Sequence, residues 1–189
     1  MTDPEGGVRR YEYHDAHHMT AFYYDDGNRT VAYTYDELGL VTAQTDALRY
    51  TMTFSYEEDA TVVTDNRGNQ IVYTLDDQKR NTGITYANGD VEKTTYDENN
   101  RISSRTDANG VTTTYLYDEN GNLLQEIRAD GSQSEYTYNA LALPLTATDY
   151  EGNTTTFTYD ARGNLLTMTD GEGNRTSFGY DSLSRMTAM

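Results

Sequence analysis

Cysteine is absent from this chain of 189 residues. No disulfide or thiolate metal site can therefore form, and the redox compartment is not written in the sequence. Long apolar runs are absent too, and nothing reaches the roughly 18 residues that a membrane-spanning helix requires. Asp3, Glu5, His14, Asp15 and Asp25 stand where a secretory signal would need an apolar stretch. Cations are scarce: 14 Lys and Arg face 31 Asp and Glu, for a net charge of -17 and a pI near 4.3. Nucleic acid and anionic membrane surfaces recruit clustered positive charge, so this balance argues against both as partners. The acidity instead suits the solubility of a large sheet surface that would otherwise self-associate. Leu, Ile, Val and Phe make up only about 15% of the residues, and low apolar content with high net charge ordinarily marks disorder.

Eighteen tyrosines reverse that expectation because they are phased. The key aromatic falls at Tyr96, Tyr117, Tyr138, Tyr159 and Tyr180, a period of 21 residues. An acid or its amide follows each: Tyr96-Asp97, Tyr117-Asp118, Tyr138-Asn139, Tyr159-Asp160 and Tyr180-Asp181, with earlier copies at Tyr35-Asp36, Tyr56-Glu57 and Leu75-Asp76. A period in this range signals a stacked architecture in which neighbouring units supply one another's core. Each tyrosine can bury on the order of 150 Å² while its hydroxyl stays hydrogen-bonded or wet.

One cassette reads as two strands. Thr112 to Tyr117 is β-branched and aromatic, with Tyr115 and Tyr117 on one face; Asp118 to Asn122 is a turn; Leu123 to Ile127 is a second strand; and Asp130-Gly131 closes the hairpin. The aromatic strand then restarts at Ser134 to Tyr138. Each period thus predicts two strands of about six or seven residues in an antiparallel meander. The aromatic pair recurs at Tyr11/Tyr13, Tyr33/Tyr35, Phe54/Tyr56, Tyr115/Tyr117, Tyr136/Tyr138, Phe157/Tyr159 and Phe178/Tyr180, and is half kept in Tyr73/Leu75 and Thr94/Tyr96. Copies lying side by side would align these pairs as two rows of rings carrying most of the packing energy. An acid stands ten residues before the anchor tyrosine at Asp3, Asp25, Asp46, Asp65, Asp107, Asp149 and Asp170, often with glycine three residues on, at Gly6, Gly68, Gly110, Gly152 and Gly173. This is Asx-turn chemistry, in which the side chain accepts from nearby backbone N–H groups and glycine takes the left-handed position. The stretch from Tyr56 to Asp65 is two residues short and lacks its glycine, which predicts a tighter hairpin, while residues 14 to 34 hold one extra residue.

Chemistry-bearing departures from the repeat are few. His14, His17 and His18 are the only histidines; their spacing could bring two imidazoles near a metal, although a solvated turn is the simpler reading. Asp118-x-Asn120-x-Asn122 resembles half a calcium loop, but Gly121 sits at its fourth position rather than the sixth, and its twelfth is Ala129 rather than an acid. Paired acids for glycoside hydrolysis would be singular, whereas these acids recur with the repeat. Asn-x-Ser/Thr triplets at Asn28, Asn153 and Asn174 follow from the turn-then-threonine pattern. No residue is assigned a catalytic, cofactor or metal role, and the chain reads as a non-enzyme with no cofactor.

The pattern Tyr159-Asp160-Ala161-Arg162-Gly163-Asn164-Leu165, followed by Thr169-Asp170-Gly171-Glu172-Gly173-Asn174 and Phe178-Gly179-Tyr180-Asp181, resembles the tandem Tyr-Asp (YD), or rearrangement-hotspot (RHS), repeats. The resemblance covers essentially the whole chain, with Leu75-Asp76 and Tyr56-Glu57 as degenerate copies. Members include bacterial polymorphic toxins, wall-associated bacterial proteins, the C component of insecticidal toxin complexes and animal teneurins. The resemblance implies a long β-sheet that spirals into a hollow shell. In bacterial members that shell encloses a toxic C-terminal domain, and in teneurins it serves adhesion. The family's self-cleaving acidic site lies beyond the repeats, and nothing here matches it.

The expectation is therefore an all-β chain of about eight to nine hairpin repeats of about 21 residues, forming a curved strip of such a shell. Residues 1–189 form a single array, with 1–34 an irregular N-terminal copy and 35–189 more regular. Met1 to Gly6 aligns with Met168 to Gly173, and Met189 falls mid-cassette, which predicts a segment of a longer array. Eight periods of two strands at about 4.8 Å would span about 77 Å, and sheets that wide usually curl or split. The expected function is a wall segment around a toxin cargo, secreted or at the cell surface; the alternative is an adhesion module whose tyrosines stack on carbohydrate. Open strand edges predict self-association.

Overall fold

The computed structural model describes residues 8–14, 17–24 and 29–189; Asp3, Gly6, Asp25 and Asn28 of the repeat pattern lie outside them. The chain divides into two compact units, Met1–Glu92 and Lys93–Met189. The first holds β1 (Arg10–Tyr13), β2 (Met19–Tyr23), β3 (Arg29–Tyr35), β4 (Val41–Asp46), β5 (Thr51–Tyr56), β6 (Ala60–Thr64), β7 (Gln70–Leu75) and β8 (Asn81–Thr85). β9 (Val91–Tyr96) crosses the boundary. The second unit continues with β10 (Ile102–Thr106), β11 (Thr112–Tyr117), β12 (Leu123–Ile127), β13 (Gln133–Tyr138), β14 (Pro144–Thr148), β15 (Thr154–Tyr159), β16 (Leu165–Thr169) and β17 (Arg175–Ser177). β18 (Gly179–Tyr180) and β19 (Met186–Ala188) form a separate small ladder. The fold is an antiparallel meander of consecutive hairpins, with no helix among the described residues.

Within each unit, among the described residues, substantial strand packing joins only neighbours in sequence. The strands of the cassette read from sequence fall at Thr112–Tyr117, Leu123–Ile127 and Gln133–Tyr138, the last beginning one residue earlier than expected, and most strands are five or six residues long. The two faces differ in chemistry. One carries the tyrosines and their aliphatic neighbours. The other is a hydroxyl surface, on which Thr106 bonds Thr112, Thr137 bonds Thr146, Thr148 bonds Thr154 and Thr158 bonds Thr167 across the strands at 2.7–2.9 Å. Neither face is covered deeply. Among the described residues only Ala21, Ala60, Gly83, Ser134 and Thr167 are buried.

The aromatic rows are built differently from the sequence expectation. Aromatic pairs occupy alternate strands, so the anchor rings are two strand spacings apart, about 9.6 Å. The residue opposite each anchor is usually aliphatic: Val41 faces Tyr35, Ile102 faces Tyr96, Leu123 faces Tyr117, Pro144 faces Tyr138 and Leu165 faces Tyr159. Each row therefore alternates ring and aliphatic wedge rather than stacking ring upon ring. At each of these anchors the register slips, marking a β-bulge. The carbonyl at the bulge is then claimed by the next period. Tyr56 Oη donates to Val41 O at 2.9 Å, Tyr117 Oη to Ile102 O at 2.9 Å, Tyr138 Oη to Leu123 O at 2.9 Å and Tyr35 Oη to Met19 O at 2.6 Å. Each hydroxyl thus satisfies a backbone acceptor that the irregular ladder serves poorly. Burial pushes the Tyr117, Tyr138 and Tyr159 phenols up from their ordinary value.

β1 pairs with β2, and all four of its residues are exposed. A strand in that position offers unpaired N–H and C=O groups to another chain. Sedimentation should show concentration-dependent association that a proline placed at Glu12 reduces; a sharp monomer at high concentration would remove edge pairing from the description.

Candidate functional site

The chemistry of the cassette is concentrated in the turns at its two rims. In the turn after Tyr117, the Asp118 N–H donates to Asn122 O at 2.9 Å and the Gly121 N–H donates back to Asp118 O at 3.1 Å, with Gly121 at φ +91°. This is a type I turn followed by a left-handed residue, a form glycine adopts without a Cβ penalty. The Asp118 carboxylate closes it from inside: Oδ1 accepts from the Asn120 N–H at 2.9 Å and the Asn122 N–H at 2.8 Å, and Oδ2 accepts from Asn122 Nδ2 at 2.8 Å. The Asp-x-Asn-x-Asn calcium resemblance resolves into this turn. Those carboxylate oxygens already accept three bonds from their own loop.

The same construction repeats around Asp65, Asp149, Asp160 and Asp170, with Asn69, Asn153, Asn164 and Asn174 as the closing amides at 2.8–2.9 Å. In three turns the closing residue is arginine: Arg80, Arg101 and Arg185 reach Asp76, Asp97 and Asp181 through Nε at 2.7 Å. The sequence reading found the aspartates and glycines but missed this fourth-residue partner. Its signal was present, as five Asp-x-x-x-Asn and four Asp-x-x-x-Arg spacings in phase with the repeat. The side-chain bond from the asparagine is the leading cause holding Asp65, Asp118, Asp149, Asp160 and Asp170 below the usual carboxylate value. Asp76 is lowered chiefly by the Arg80 side chain, and Asp181 chiefly by the Arg185 backbone N–H. Asn153 and Asn174, two of the Asn-x-Thr/Ser triplets, spend their amides in these turns.

Arg101 ties one period to the next. Besides its bond to Asp97, its Nη1 donates to Asp118 O at 2.8 Å and its guanidinium lies 4.7 Å from the Tyr117 ring centroid. Lys79 similarly donates to Glu58 O and Arg162 to Ser182 O. The exception among these turns is the short hairpin between β5 and β6. There the Glu57 N–H donates to Ala60 O at 2.8 Å without glycine or register slip, matching the tighter turn expected from its length.

The histidines occupy a rim turn as well. The His14 N–H donates to His18 O at 3.0 Å, so His14 follows Tyr13 in the aspartate place and His18 takes the place of the closing residue. His18 packs against the Tyr35 ring at 4.9 Å and leaves no room for a side chain at Gly39, whose Cβ would fall 2.6 Å from Nε2. A cleft of about 460 Å³ lies here, lined in part by His14, His18, Tyr35 and Asp36. Among the described residues no three His, Asp or Glu side chains converge as a metal site would require. A second cleft, of about 410 Å³, lies over Ala147 between Tyr136, Asn153 and Glu172. Ala147 faces Tyr136 where other periods place Gln44, Ile84, Arg105, Glu126 or Met168. No helix among the described residues is long and apolar enough to cross a membrane.

The RHS Repeat model matches residues 96–133, 138–175 and 159–189. The second half of the chain is built of RHS repeats. The matched RHS copies lie wholly in the second unit, and the first unit carries the same turn and tyrosine bonds at Tyr35, Tyr56, Asp65 and Asp76. Solved structures share the RHS fold. The crystal structure of TcdB2-TccC3-TEV aligns with a TM-score of 0.68 at 16% identity, over 96% of this chain and 11% of that one. TcdB2-TccC3 without its hypervariable C-terminal region gives 0.67 at 15% identity, over 99% and 12%. The Photorhabdus luminescens Tc holotoxin pore carrying TccC3-D651A gives 0.60 at 16%, over 98% and 12%. This chain therefore spans about an eighth or less of those proteins. No curated protein matches in sequence.

Proposed function

We propose that residues 1–189 form one RHS array, a non-catalytic wall segment of a longer shell that encloses a C-terminal toxin domain and is secreted or displayed at a cell surface. The observation that carries this reading is how the recurrent polar groups are spent. The turn carboxylates accept from their own loop, and the anchor hydroxyls of Tyr35, Tyr56, Tyr117 and Tyr138 bond backbone carbonyls. Groups so engaged build a wall, whereas a hydrolase would need acids placed singly and free to exchange protons. The mechanism is steric: a sheet sealed by its own hydrogen bonds separates cargo from other proteins.

Limited proteolysis of the full-length protein tests this. The domain following the repeats should resist a protease as long as the array is folded and become cleavable when Tyr117→Ala loosens it. Cleavage of that domain at equal rates in both proteins would remove the enclosing role.

One feature favours a second reading, adhesion through carbohydrate. The cleft over Ala147 sets the Tyr136 ring beside Asn153 and Glu172, which suits a sugar ring with one apolar face. Micromolar binding of any glycan, abolished by Ala147→Met, would support it.

A further inference from the structure

The chain contains three Asn-Gly pairs, Asn88-Gly89, Asn109-Gly110 and Asn120-Gly121. All three sit at the same place in a rim turn, with Gly89, Gly110 and Gly121 at φ +92°, +81° and +91°. Such pairs share one reaction. The glycine nitrogen, after giving its proton to hydroxide, bonds to the asparagine Cγ; the Cγ–Nδ2 bond breaks and ammonia leaves. Water then opens the resulting succinimide at either carbonyl, leaving an α- or a β-linked aspartyl residue.

In the closed turn that nitrogen is engaged. The Gly89 N–H donates to Tyr86 O at 2.9 Å, Gly110 N–H to Asp107 O at 2.9 Å and Gly121 N–H to Asp118 O at 3.1 Å. Attack therefore proceeds from an opened turn, and the rate follows the ease of local opening. The three turns differ in what holds them shut. At Asn120 the Asp118 carboxylate accepts two backbone N–H groups and the Asn122 amide, and Arg101 grips the Asp118 carbonyl. At Asn109 the Asp107 carboxylate accepts the N–H groups of Asn109 and Val111 at 2.9 Å, with valine in the closing place. At Asn88 the first residue is Tyr86, which has no carboxylate. There the Asn88 side chain itself caps the loop, accepting the Asp90 N–H at 3.1 Å and donating Nδ2 to Asp90 Oδ2 at 2.6 Å.

We propose that Asn88 is a site of spontaneous deamidation in this array, and that the turn aspartate protects Asn109 and, more strongly, Asn120. Asn88 is exposed, and its reacting amide is the cap, so any opening that frees the backbone also frees the electrophile. The β-linked product inserts a methylene into the backbone and adds a charge beside Asp90, so the Gly89 bond to Tyr86 cannot re-form in the same geometry.

The test is peptide mapping by mass spectrometry after incubation of the folded chain at mildly alkaline pH, reading the mass change of amide to acid at each asparagine. Asn88 should convert several-fold faster than Asn109, and Asn109 faster than Asn120. In denaturant the three should converge. Asp107→Ala should raise conversion at Asn109 toward that of Asn88 without changing Asn120, and Tyr86→Asp should slow Asn88. Equal rates in the folded chain, or a faster Asn120, would overturn the proposal, as would an Asn109 rate indifferent to Asp107.

Discussion

Replacing Tyr117 by alanine should lower the stability of the array by about 3 kcal/mol, the size of other large aromatic truncations. Three losses combine. The ring leaves its place beside Leu123, the Arg101 guanidinium loses the aromatic face 4.7 Å away, and the Ile102 carbonyl at the bulge loses its donor at 2.9 Å. Phenylalanine separates these contributions. Tyr117→Phe keeps the ring and removes only the hydroxyl, so its cost should be about 1 kcal/mol, the net worth of one hydrogen bond. Tyr13→Ala serves as the control: Tyr13 is 57% exposed on a terminal strand, and surface changes away from packed features stay within about 0.5 kcal/mol. Urea unfolding followed by tyrosine fluorescence would rank the three. If Tyr117→Ala and Tyr13→Ala matched, the tyrosine rows would be decoration rather than core.

Acid should unfold the array over a narrow and predictable range. Nine carboxylates, at Asp65, Asp76, Asp97, Asp118, Asp130, Asp149, Asp160, Asp170 and Asp181, are held below their ordinary value of 3.8 by the turn that each closes. A group whose acidity is increased by folding stabilises the fold above its unfolded value and loses that contribution as pH falls through its folded value. The melting temperature should therefore hold between neutrality and about pH 5, helped by relief of repulsion as the charge of -17 diminishes toward the pI near 4.3, and should fall steeply below about pH 4. Changing Asp149, Asp160 and Asp170 together to asparagine removes three of the nine, so the fall of stability with acid should become shallower. A slope unchanged by that variant would place the acid sensitivity elsewhere.

Much of this architecture is legible in the residues themselves, because period-2 alternation and glycine-aspartate turns are local signals. Thr112–Tyr117 and Leu123–Ile127 could be bounded by inspection, as could the short hairpin after Tyr56. What lay beyond reach was set across strands. That Tyr117 faces Leu123 rather than Leu124 depends on the bulge between Leu116 and Tyr117, which slides the register by one residue. The bond from Tyr138 to the Leu123 carbonyl joins residues 15 apart, at the far ends of two paired strands. The aspartate's partner was hidden for a different reason: asparagine and arginine fill the same place, and only their shared reach to Oδ2 makes them equivalent. At His14 and His18 a metal-like spacing turned out to be the i, i+4 geometry of the turn.

The tyrosine-to-carbonyl bond has a genetic consequence. Tyr138 needs an acceptor at the start of the strand before it, and Leu123 supplies one; Tyr117 finds the same in Ile102. Deleting or duplicating one whole cassette between equivalent tyrosines leaves every hydroxyl with an acceptor and every turn with its cap, because each period consults only its neighbours. A crossover displaced by a single residue instead turns the tyrosines onto the threonine face. Unequal recombination between copies is thus filtered by the fold itself, and array length can drift in steps of one cassette while the sheet stays continuous.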